Sequence, residues 1–287
     1  MKPFKSSIIK YCPESIVSML RVLKRVVVGR TDEMLCYMYY YFTSNRNNVK
    51  IVIFAQGRTG SSVLENLICS TGDIKEYGEI LNPKVLLAKF PLEFVIGKGR
   101  KSRSNLIVHI KPNHLKRLGK DSVYINKFLR RLSQDGWSII HLRRENVVLH
   151  TLSRIYGLKA ERWAAIHPTS DNFQVTIEWP FFLKLLNRRA ELCRMEEEGL
   201  AGIKCIDIEY QRDIFNSNKH QATANRIFNY IGLKGGKVST YYHRSHTRQI
   251  HDYVINFDEF VMLLKENGLD EYLNDEGFRI LGDGELR

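Results

Sequence analysis

Val49-Lys50-Ile51-Val52-Ile53-Phe54-Ala55-Gln56-Gly57-Arg58-Thr59-Gly60-Ser61-Ser62-Val63-Leu64-Glu65-Asn66-Leu67-Ile68-Cys69 is the stretch around which the chain is organised. Its first part is a β-branched and aromatic run, the composition of a buried strand. Its last part carries Val63, Leu64, Leu67 and Ile68 at helical spacing. Between them lies the turn Gly57-Arg58-Thr59-Gly60-Ser61-Ser62. Strand, tight turn and helix start together grip phosphate, because the first helical turn has N–H groups without intrahelical partners and its dipole favours an anion. Gly57 and Gly60 allow close backbone approach and positive φ. Ser61 and Ser62 add hydroxyl donors, and Arg58 adds a fixed positive charge.

Working outward, 287 residues suit one α/β domain with decorations. A hydrophobic content of 44% excludes a disordered chain. The net charge of +13 points to anionic partners: nucleotides, acidic glycans, anionic lipid or nucleic acid. Cys12, Cys36, Cys69, Cys193 and Cys205 are odd in number and form no Cys-x-x-Cys pair. Neither a disulfide framework nor a metal site is therefore expected, and a reducing, cytoplasmic setting fits. The expectation is also of no membrane span and no signal peptide, since no apolar run reaches the required length and no cleavage pattern follows Lys2 and Lys5.

Residues 1–48 read as a helical extension packed on the core. Ile16, Met19, Leu20, Leu23 and Val27 fall near helical spacing, with Arg21, Lys24, Arg25 and Arg30 elsewhere. A basic amphipathic helix over 15–30 can pack on the domain or lie peripherally on an anionic membrane. The aromatic run 34–42 reads as core or interface packing. Residues 49–287 form the α/β domain. Strands are expected at 50–55, 105–110, 137–142 and 203–208. Helices are expected after the opening turn and at 120–134, 146–156 (stopped by Gly157), 180–198, 222–231 and 257–267. Residues 72–83 read as turn-rich, 84–96 as a short helix and loop, 97–103 as a basic loop, and 158–175 as loop. Strands alternating with helices predict a three-layer, P-loop-like α/β fold with a mostly parallel sheet.

An ATP-type P-loop requires Gly, four residues, then Gly-Lys-Ser/Thr. Aligned on Gly60, Ala55 replaces the first Gly and Ser61 replaces the Lys. The cradle shape survives without the cation for the terminal phosphates. A second anion-type element follows the apolar run 137–142: Arg143-Arg144-Glu145-Asn146, then a helix in which Ser153 lies two turns beyond the N-cap Asn146. Arg plus a hydroxyl suits a phosphate monoester. Strand alternation sends Arg143 and Arg144 opposite ways, and Arg144, nearer the helix start, is the favoured ligand.

Gly57-Arg58-Thr59-Gly60-Ser61-Ser62 resembles the 5′-phosphosulfate loop of sulfotransferases that use 3′-phosphoadenosine 5′-phosphosulfate (PAPS), and Ile139–Ser153 resembles that family's 3′-phosphate element. Looser likenesses are Val108–Lys111 with His114-Leu115, Cys205–Tyr210, Tyr230–Leu233 and Val254–Glu259, so the resemblance spans about residues 49–272. It implies PAPS as co-substrate, in-line and metal-independent transfer, and bacterial carbohydrate or nodulation-type members as the nearest pattern. The acceptor so implied is a hydroxyl of a carbohydrate or glycolipid. Arg58 and the serine turn would hold the leaving phosphate. The Glu base of related sugar sulfotransferases falls in the segment after the first helix, which makes Glu79 the first choice, with Glu76 and His114 as alternatives. Lys111 and His114 would face the acceptor. Arg244 and Arg248, in an Arg- and Tyr-rich loop, could close over the nucleotide. The rivals are a P-loop small-molecule phosphotransferase and a non-catalytic basic protein binding nucleic acid or membrane.

Overall fold

A computed structural model describes residues 30–82, 90–160, 173–242 and 250–274. Strand β1 (Lys50–Phe54) is buried along its whole length, as the apolar run Ile51–Phe54 requires of a central parallel strand, and its first residue, Lys50, is buried in a pair with Asp135 at 3.3 Å. It lies between β3 (Asn105–Ile110) and β4 (Trp137–Arg143), with β2 (Ile74–Glu79) and β5 (Ile206–Glu209) at the edges. The order is β2-β3-β1-β4-β5, and every pairing is parallel.

Alternation along the strands divides the core. Val52, Phe54, Leu106, Val108, Ile110 and Ile139 face α3 (Pro91–Lys101), α5 (Ser122–Gln134) and α7 (Trp179–Leu200). Ile51, Ile53, Ile107, Ile140, Leu142 and Ile208 face α2 (Ser61–Cys69) and α8 (His220–Ile231). The result is the expected three-layer α/β architecture. A third cluster, centred on Tyr156, Phe182 and Phe260, joins α6 (Val147–Lys159) and α7 to α10 (Phe257–Glu266). Two short helices are α4 (Pro112–Arg117) and α9 (Ile250–Tyr253). Helix α1 covers 30–42 and sends Cys36 into the core.

The four expected strands form, within a few residues of their expected bounds. The fifth, β2, lies in the segment read as turn-rich. It pairs only with β3, its register shifts between Glu76 and Glu79, and of its six residues only Ile74 is buried. An edge strand with one buried side chain has little alternation to detect. The run 97–103 also departs from the loop reading, because Gly97 to Lys101 continue α3. A Cβ on Gly97 would lie 1.8 Å from the Cys36 carbonyl oxygen, so glycine here permits α1 to cross α3 at backbone contact. Gly157 does not stop α6, which continues to Lys159 with Gly157 buried. Cys36, Cys69, Cys193 and Cys205 are free thiols, and Cys12 lies outside the described residues, as do most of the 15–30 segment, Arg244 and Arg248.

Candidate active site

The strand registers align the carboxyl ends of all five strands along one edge of the sheet, where open α/β sheets bind ligands. Across that edge, in sheet order, stand Glu79, Lys111, the loop 55–61, Arg144 and Tyr210. Five separate chain segments thus meet along this edge.

The loop after β1 is held in an unusual shape. Arg58 has φ 75° and is the one non-glycine with positive φ among the described residues. Such a position costs about 1–3 kcal/mol and persists only where the surroundings enforce it. The Thr59 hydroxyl donates to the Gln56 carbonyl at 2.9 Å and ties the turn internally. Thr59 is buried and serves the loop's own shape, whereas Ser62 is exposed at the helix start. Gly60 has φ 86° and caps α2, whose first turn carries no acidic side chain. A Cβ there would lie 2.7 Å from Cδ2 of the Tyr210 ring. The same ring carries Arg144, whose guanidinium is 4.7 Å from the ring centroid.

Arg58 Nε donates to Ser153 Oγ of α6 at 3.3 Å, so the opening turn meets the element that follows β4. Asn146 caps α6, its Oδ1 accepting from Leu149 N at 2.8 Å. Arg143 takes the other direction and pairs on the surface with Glu145 at 2.8 Å. Buried Glu209, at the end of β5, accepts from the Glu145 N–H at 3.4 Å and the Arg212 N–H at 2.6 Å, which fixes the turn that presents Arg144.

Positive charge is concentrated here. Burial lowers the pKa of Arg58, and Arg144 and Arg154 lower it further. Burial likewise lowers Lys111; Glu79 opposes that shift, while Arg154 and Arg58 add to it. Arg189 of α7 is pushed down to about 9, first by burial and then by Arg144 and Arg154. Cations that destabilise one another in a partly buried space favour an anion bound among them.

Glu79 and Lys111 lie beside the loop. Lys111 Nζ pairs with Glu79 and stands 3.4 Å from where a Cβ on Gly57 would be. His114 Nε2 is 3.6 Å from the other Glu79 oxygen. Burial raises the Glu79 carboxyl, but Lys111, assisted by His109 and His114, outweighs it and holds the group below the usual carboxylate range. His114 is pushed down to about 4 by burial and then by Lys111, so it is neutral at ordinary pH. Glu65 of α2 accepts from the Gly78 N–H at 2.9 Å and so fixes the backbone beside Glu79. Glu76, the alternative base, acts instead on Glu65, whose carboxyl is pushed up to about 8 by burial and then by Glu76.

Beneath the loop lies a buried polar network that the sequence reading did not anticipate. Gln56 Nε2 donates to Glu196 at 2.9 Å, Arg189 Nη1 donates to His150 Nε2 at 2.6 Å, and that nitrogen is 2.9 Å from the Gly57 carbonyl. His150 is held well below its ordinary pKa by burial and then by Arg189, and a neutral ring nitrogen cannot both accept from Arg189 and donate to Gly57. The detectable signal was on α7: Arg189 and Glu196 are two turns apart on the stripe that carries Phe182 and Leu186. Charged residues on an apolar stripe are either paired or functional. Among the described residues, no group of three or more His, Cys, Asp and Glu side chains is arranged to hold a metal ion.

No family model matches the chain, and no curated protein sequence matches it. Similar solved structures include a sulfotransferase from Alicyclobacillus acidocaldarius, at 11% identity and TM-score 0.45 over 79% of this chain and 96% of that one. Another is a mouse sulfotransferase complexed with PAP, at 12% identity and TM-score 0.46 over 84% of this chain and 90% of that one.

Proposed function

We propose that the chain is a sulfotransferase that moves a sulfuryl group from PAPS to a hydroxyl of a carbohydrate or glycolipid acceptor. The observation that carries this reading is the contact between Arg58 and Ser153, which merges two anion-holding elements into one cationic pocket with a carboxylate at its margin. A donor with phosphate at both its 3′ and 5′ positions matches a pocket supplied from two directions.

In this reading the turn 57–62 and the start of α2 hold the 5′-phosphate, and Arg144 with Ser153 holds the 3′-phosphate. The acceptor oxygen attacks sulfur in line, a new S–O bond forms, and the S–O bond to the 5′-phosphate breaks with its electron pair leaving on that phosphate. Arg58 and the α2 N–H groups stabilise the leaving charge. Glu79 takes the acceptor proton. Lys111, between Gly57 and Glu79, is placed to donate to the transferring group. As an anion draws Lys111 from Glu79, the carboxylate loses its stabilising partner and becomes the stronger base. His114 keeps Glu79 in position while remaining neutral.

A small-molecule phosphotransferase would bind magnesium–ATP, and a non-catalytic basic protein would bind nucleic acid or lipid without a nucleotide site. Titration calorimetry separates the three. The proposal expects adenosine 3′,5′-bisphosphate to bind equally with magnesium or with chelator. Magnesium-dependent ATP binding without bisphosphate binding would refute it.

A further inference from the structure

Helix α1 carries apolar and aromatic side chains on both of its sides: Cys36 enters the core and Tyr37 and Tyr40 pack against it. Its inner side carries Glu33, 7% exposed, which accepts from the Tyr37 hydroxyl at 2.8 Å. Asp32 pairs with Lys98 at 2.7 Å and Lys101 at 2.6 Å of α3. Its outer side carries Met34, Met38, Tyr41 and Phe42, exposed by 68%, 52%, 68% and 81%. These residues fall at i, i+4, i+7 and i+8, a single stripe along the helix. On a helix whose inner side is already packed on the core, a second, outward stripe of methionines and aromatics marks a surface that another phase or molecule covers.

We propose that this stripe docks on an anionic lipid surface. The choice of occupant follows from charge. The chain that leads directly into α1 contains Lys2, Lys5, Lys10, Arg21, Lys24 and Arg25 against Glu14 alone, and Arg30 opens the helix. Anionic headgroups attract such a segment and bring the adjoining apolar stripe to the headgroup–acyl boundary. Tyr41 has the amphipathic ring suited to that depth. No helix among the described residues is long and apolar enough to cross a membrane. Lipid docking is independent of the sulfuryl-transfer reading and can fail without it.

The test uses the full chain and sedimentation with phosphatidylcholine vesicles, with and without phosphatidylglycerol. Binding is expected at least about tenfold stronger to the anionic vesicles. Met38→Glu/Phe42→Glu should reduce it about tenfold or more while leaving the melting temperature and bisphosphate affinity unchanged. Lys24→Gln/Arg25→Gln, which spares the stripe, should also weaken binding and should flatten its dependence on salt. Absence of wild-type binding to anionic vesicles overturns the proposal, as does full binding by the Met38→Glu/Phe42→Glu variant. Loss of a wild-type dimer in that variant assigns the stripe to a second copy. A large fall in its melting temperature assigns the stripe to the chain's own residues 1–29. Either result also overturns lipid docking.

Discussion

Replacing Gly60 with alanine adds one methyl group at the position where the loop meets α2, and two separate penalties follow. The backbone there has φ 86°, and an L-residue in the left-handed region costs about 1–2 kcal/mol relative to glycine. The new Cβ would also lie 2.7 Å from Tyr210 Cδ2 and 2.8 Å from Cε2, and overpacking of this kind costs about 1–3 kcal/mol. The sum is about 2–5 kcal/mol. Gly72 provides the control, since it has φ 84° and a Cβ added there would meet nothing within 4 Å, so Gly72→Ala should incur only the first penalty. Urea unfolding of both variants isolates the steric part as their difference. In a cycle with Tyr210→Ala, that part should appear as a coupling of about 1–3 kcal/mol that relieves the double variant. Because the displaced ring carries Arg144, Gly60→Ala should also weaken bisphosphate binding, and Gly72→Ala should not. Equal destabilisation by the two alanines, or an additive cycle, would refute the claim that Gly60 is required by Tyr210.

Arg144→Ala should weaken bisphosphate binding by about 10- to 100-fold, the range for a lost charge-assisted contact, whereas Arg143→Ala, which removes only an exposed pair with Glu145, should leave calorimetric affinity within about twofold. Glu79→Gln should retain bisphosphate affinity and lose turnover, and a fully active variant would remove Glu79 as the base. His114 and Glu79 contribute to the pH dependence of stability over different pH ranges. His114 has a depressed folded pKa of about 4, so its contribution is complete above its unfolded value near 6.5 and is lost as pH falls toward 4. Glu79 is also depressed, so its contribution is complete above the unfolded carboxylate value near 4.3 and is lost only at lower pH. Measured as the difference in stability between wild type and His114→Gln from pH 8 to 3, the His114 contribution should fall away beginning near pH 6.5, whereas the difference for Glu79→Gln should change only below about pH 4.3.

The features legible in the chain are those carried by contiguous residues. The apolar run 51–54, the turn 57–62 and the spacing of Leu64, Leu67 and Ile68 suffice for a buried strand that feeds a phosphate-type helix start, because backbone sterics and burial act there over one or two turns of chain. The same holds for β4 and the Asn146 cap, and so for the parallel three-layer class. Strand β2 was not legible, because an edge strand with one inward side chain has no periodic signal, and with it went the position of Glu79 at a strand end.

Tertiary packing decided the rest. Both arginines at 143 and 144 follow the same buried strand, and packing sets Arg144 against the Tyr210 ring and Arg143 against Glu145 on the surface. Arg58 finds Ser153 across 95 residues of chain, a juxtaposition set by how α6 docks on the sheet. Arg189 and Glu196 lie beneath the loop because α7 turns one face toward it, and Met34 and Phe42 face outward because Cys36 enters the core and Asp32 pairs with α3 on the other side of α1. Residue types and local spacing determine which segments can bind an anion. Which side chains surround that anion depends on long-range docking, where charge, aromatic stacking and close backbone contact select among equivalent local choices.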